Sequence, residues 1–244
     1  MSHQDDIKGL LDLLRQAKKG QEENPGTVIS KGYQDGTEKN QNAQSYESVK
    51  GLVKPFLKID HVETEAKIEL LDHLAFWDSA EEIKSNRWER QSKLHRRRFC
   101  LAQKQYQQTK NTDNANAILF ATVILDMVNI KLKLFEMKGN NVDEKLVQKM
   151  TFYNTRGIEV LEQMSQPTND LDKQIQATFL LAQLHTKFFS SNKDIQRKHT
   201  QEAIKAYEKV QSIGSTETIN ETSRALVLKS QDAKDLLERQ MKVM

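Results

Sequence analysis

WERQSKLHRRRFCLAQKQY, residues 88–106, decides the fold class of this chain of 244 residues. At helical spacing Trp88, Ser92, His95, Phe99, Ala102 and Tyr106 fall on one line, and Leu94 and Leu101 widen it. Apolar positions recurring about every 3.6 residues mark an amphipathic helix. Arg90, Lys93, Arg97 and Lys104 lie on a second, basic line turned away from the first. One helix therefore offers an apolar face to a core and a cationic face to something else, and no catalytic group accompanies it.

Downstream, the same spacing recurs. Ile118, Ala121, Leu125, Val128, Leu132 and Phe135 form one stripe, closed by Gly139. Asn141 with Glu144 predicts a cap for the next helix, whose stripe runs from Leu146 through Met150, Tyr153, Gly157 and Val160 to Met164. Leu171, Ile175, Thr178, Ala182, His185 and Phe189 make a third, Ala203, Ala206, Val210 and Ile213 a fourth. Ile219, Leu226, Ala233 and Leu237 make the last. The turns between them are short, so neighbouring helices should form antiparallel hairpins, as in an α-solenoid or an irregular bundle. Glu202 to Val210, EAIKAYEKV, looks like the second helix of a tetratricopeptide repeat, although no clear period emerges.

Upstream, Ile7, Leu10, Leu11, Leu14 and Ala17 stripe a short helix over residues 4–19, which Gly20 is placed to stop. Residues 20–45 are polar, with Pro25-Gly26, Gly32 and Gly36, a composition that orders only against a partner. Pro55 breaks the apolar run of residues 46–60, and Ala66, Leu70, His73, Leu74 and Trp77 stripe another helix. Ser79 with Glu82 has the form of a capping box and predicts the start of the helix that carries the opening stretch. The expected organisation is an N-terminal helix with an extended polar strap over residues 1–60, then a helical, repeat-like domain over 61–244.

Composition agrees with an all-α class. With 9 Gly and 3 Pro the chain lacks the punctuation of a sandwich or barrel, and 29% charged residues suit helices that each bury one stripe. Cys100, the single cysteine, excludes an intrachain disulfide and fits a reducing compartment. No apolar run approaches the about 20 residues that cross a bilayer, so the expected protein is soluble and intracellular, without a membrane partner. Between residues 87 and 110 eight cations (Arg87, Arg90, Lys93, Arg96, Arg97, Arg98, Lys104, Lys110) face Glu89 alone, giving +7, and the whole chain is +3, so the remainder carries −4. That asymmetry points to an acidic partner or an acidic neighbour within the fold.

The expected protein-binding face is Arg87, Arg90, Lys93, Arg96, Arg97 and Lys104, set against the plainer possibility of a solvated face with pairs such as Glu89 to Lys93. Nucleic acid is the weakest partner, because no aromatic platform interleaves the charge. His95 belongs to the apolar line and reads as a packed histidine. His3, His61, His73, His185 and His199 are scattered, without two at i and i+4, so no metal is expected. Cys100 reads as a small residue packed between helices. No phosphate loop, G-x-S-x-G or H-E-x-x-H is present. Neither catalysis nor a cofactor is expected.

From Phe76-Trp77 onward the chain resembles the C-terminal region of the kinesin-binding protein family, also called the KIF-binding protein family. The matching features are that aromatic pair, Glu89-Arg90, then Lys93, Leu94, His95 and three arginines. Asp126 to Lys131, the pattern Phe179, Ala182, Leu184 and Lys187, and Tyr207-Glu208-Lys209 follow in the same order, over roughly 76–240. The resemblance implies a non-enzymatic helical protein that binds kinesin motor domains and hinders their attachment to microtubules. The expected function is a scaffold or adaptor, a structural subunit of a ciliary axonemal assembly that contacts tubulin, a kinesin motor or axonemal subunits. The alternative is a soluble regulator that binds kinesin motor domains and hinders their attachment to microtubules.

Overall fold

A computed structural model describes residues 3–23, 46–59, 62–80, 87–109, 114–138, 144–165, 170–190, 192–215 and 219–242. Among them are nine helices and no strand, so the chain is all-α. They are α1 (His3–Glu23), α2 (Tyr46–Phe56), α3 (Thr64–Ala80), α4 (Arg87–Thr109), α5 (Asn114–Lys138), α6 (Glu144–Met164), α7 (Leu171–Thr186), α8 (Lys193–Gly214) and α9 (Glu221–Met241). The polar strap of residues 24–45 and the Asn141 cap lie outside the described residues.

Two compact units divide the chain, Met1–Leu101 and Ala102–Met244. The division falls within α4, not at residue 60 where composition changes. The reason is that α1 and α2 share one core with α3: Ile7, Leu11 and Leu14 of α1 pack with Val49 and Val53 of α2 and with Leu70, Leu71, Leu74 and Trp77 of α3. Leu94 and Leu101 of α4 border this core. α1 continues through Gly20 to Glu23, past the expected stop. Ser79 ends up inside the last turn of α3, so the capping-box pattern does not start α4, which begins at Arg87.

In the second unit each helix packs on the next from α5 to α9, and α7 also touches α5 and α9. α5 and α7 are its centre. Phe120, Ala121, Val123, Ile124, Met127 and Val128 are buried around most of α5, and Ala177 to Ala182 are buried without interruption in α7. A helix that is apolar all round belongs inside, whereas α6, α8 and α9 bury one stripe each. Asp170, Asn192 and Asn220 cap α7, α8 and α9 by accepting backbone N–H bonds with their side chains.

Candidate protein-binding face

α4 divides its cations between two fates. Arg90 and Arg98 turn inward, onto α3. Arg90 Nε donates to Asp78 Oδ1 at 2.9 Å, and its Nη2 lies 2.7 Å from the same oxygen. Gln91 Nε2 donates to Asp78 Oδ2 at 2.7 Å and to the Ala75 carbonyl at 2.8 Å. Asp78 is 0% exposed, so both its oxygens are satisfied by α4. A buried carboxylate is tolerable only with such partners. Arg90 also lies over the Tyr46 ring of α2, 5.6 Å from its centroid.

Two turns further on, Arg98 Nη2 lies 2.9 Å from Asp72 Oδ1, and its Nη1 lies 3.1 Å from His95 Nδ1. A guanidinium only donates, so His95 accepts at Nδ1 and carries its proton on Nε2. Burial, then the charge of Arg98, pushes His95 down to about 4. Burial alone would raise the Asp72 carboxyl, but Arg98 and Lys18 outweigh it and hold the group below its usual range. Lys18 of α1 reaches Asp72 at 3.3 Å, and Arg15 reaches Glu69 at 2.6 Å. α3 is thus an acidic helix clasped by cations from α1 and α4. His95 is buried, as its place on the apolar line predicts.

Lys93, Arg96 and Arg97 do the opposite. All three are exposed and make no hydrogen bond or ion pair among the described residues. Glu89 is exposed and does not pair with Lys93. Lys93 and Arg97 stand at i and i+4, a like-charge spacing that costs the helix a few tenths of a kcal/mol. Cys100 sits on the same side of α4 and is exposed, contrary to the packed position its size suggested. Lys104 is exposed on the part of α4 that belongs to the second unit. The side chain of Arg87 lies outside the described residues. Of the six residues expected on the binding face, three form an unneutralised row in the first unit and Arg90 is internal.

The second unit holds a histidine pair that the scattered positions concealed. His185 Nδ1 and His199 Nδ1 are 2.8 Å apart, so one donates and the other accepts. His185 is pushed down to about 4 by burial and then by His199. Burial, then Lys198, lowers His199 too. The signal lay in the hairpin: His185 is in the last turn of α7 and His199 in the second turn of α8, and the packing of these two helices brings them together. Among the described residues no group of three or more His, Cys, Asp or Glu is placed to hold a metal ion. No described helix is long and apolar enough to cross a membrane. No protein-family description, curated protein or solved structure matches the chain.

Proposed function

We propose that the protein is a non-enzymatic helical scaffold whose α4 docks on an acidic protein surface through Lys93, Arg96 and Arg97. One observation carries the reading. On a helix whose neighbouring arginines, Arg90 and Arg98, are spent on the α3 carboxylates Asp78 and Asp72, three adjacent cations have no partner among the described residues. Anions on a partner surface would relieve their mutual repulsion. A structural place in a microtubule-based, ciliary axonemal assembly is the proposed setting; the family resemblance of α3, α4 and the helices beyond supports the microtubule setting alone and by itself favours the kinesin-regulator alternative.

The experiment is the K93E/R96E/R97E variant beside the parent, each followed through axoneme extraction at high salt. The expected result is retention of the parent with the doublets or central pair, loss of the variant, and unchanged helicity by circular dichroism. Release of the parent into the soluble fraction together with a motor would sink the structural role and favour the kinesin-regulator alternative. Unfolding of the variant would show that the row is needed internally and remove the basis of the proposal.

A further inference from the structure

At the turn between α7 and α8 the second unit presents aromatic rings and cations together. Phe189 rests against Phe135 of α5 with centroids 4.9 Å apart, and Phe188 stacks on His199 of α8 at 3.5 Å. The three Phe residues are half-buried, while Met137 near the end of α5 is 59% exposed and Ile195 in the first turn of α8 is 43% exposed. Cations crowd the same helix ends. Burial, and then the charge of Lys133, pushes the Lys187 ammonium below its usual range. Lys193, Arg197 and Lys198 are exposed along the start of α8. Against these five cations stand three anions: Asp194, Glu136, already paired with Lys133 at 2.7 Å, and Glu202, which acts on Lys198 but is paired with Lys205 at 2.9 Å. Lys187, Lys193, Arg197 and Lys198 have no ion pair among the described residues.

Half-covered rings inside an excess of positive charge lack two things, an apolar cover and anions. A ligand that supplies both gains from desolvating the rings and from opposite charge at the rim. We propose that this end of the second unit is a docking surface for an acidic segment of a partner protein that carries an aromatic or aliphatic anchor. The anchor sits on Phe188, Phe189 and Ile195, and its flanking carboxylates meet Lys187, Lys193, Arg197 and Lys198. A lipid surface fits less well, because the rings lie between helix ends and only Met137 and Ile195 project. The site does not involve the α4 row and does not depend on the function proposed for it.

The test uses the full chain and a fluorescein-labelled, glutamate-rich peptide of about twelve residues containing one Phe-Leu pair. A twin peptide has Ala-Ala in place of that pair. Fluorescence anisotropy should show the Phe-Leu peptide binding at least about tenfold tighter than its twin. K193E/R197E/K198E should weaken it about tenfold or more, and I195S should weaken it without changing its salt dependence. K93E/R96E/R97E should leave it unchanged, which separates this site from α4. Equal binding of the two peptides would overturn the proposal. So would parent-like binding by either α8 variant, or loss of binding in the α4 variant. Flotation with phosphatidylserine vesicles in place of peptide binding would make the surface a lipid site. A dimer that the α8 variants abolish would make it an interface between copies.

Discussion

Arg90 and Lys93 are three residues apart on one helix, yet their substitution should have unlike consequences. Asp78 is wholly buried and takes its compensation from Arg90 and Gln91. Asp78→Ala leaves the part-buried Arg90 guanidinium without its carboxylate and Gln91 with only the Ala75 carbonyl, a loss of about 2–3 kcal/mol by urea denaturation. Lys93→Glu removes one repelling cation from an exposed position and should change stability by less than about 0.5 kcal/mol. Equal effects would mean that the inward and outward cations are not distinct.

The buried histidines set the response to acid. His95 and His185 are each held near 4, below an unfolded value of about 6.5. A lowered histidine favours its neutral form when folded, so its contribution is complete above about pH 6.5 and is lost as pH falls toward the folded value. Each costs up to about 1.4 kcal/mol per pH unit in that window. Asp72 has the same sign but a lower window, since its folded carboxyl lies below the ordinary range. Urea midpoints should therefore stay level from about pH 7.5 to about 6.5 and fall from there to about pH 4.5, and His95→Gln, which keeps an acceptor for Arg98, should flatten that slope.

Among the elements, Gly157 shows how closely α6 lies to its neighbours. A Cβ there would stand 2.5 Å from Leu184 Cδ1 and 2.9 Å from Ile124 Cγ2. Leu184 and Ile124 are fully buried, so neither can swing aside freely. Gly157→Ala should cost about 1–3 kcal/mol by overpacking, against about 1 kcal/mol regained in helix propensity, and thermal melting should show a net loss. Gly214→Ala meets Val227, whose branched side chain is stiffer, and should be worse. The stripes of α5 to α9 were legible because burial on one side leaves its period in the sequence. That α5 and α7 are buried on nearly every side was not, because one stripe was enough to predict a helix. The start of α4 misled, since Ser79 and Glu82 have the spacing of a cap while α3 runs on to Ala80. The inward turn of Arg90 and Arg98 was hidden too, because Asp78 and Asp72 lie on another helix and only packing brings them opposite.

At the scale of the molecule, two cores of different character divide at one helix. The first is knitted by carboxylates of α3 to cations of α1 and α4, and the second rests on the apolar bodies of α5 and α7. Both tryptophans of the chain, Trp77 and Trp88, fall in the first unit, so fluorescence reports that unit while circular dichroism reports both. If the cores unfold separately, Asp78→Ala should move the fluorescence transition to lower urea and leave a later dichroism phase in place. Gly157→Ala should do the reverse, shifting the later phase and sparing the fluorescence. Transitions that stay coincident in both variants would mean that the continuous α4 couples the two cores into one cooperative whole. That result would bear on function as well, because a load taken up at Lys93, Arg96 and Arg97 would then be carried by both units through the backbone of α4.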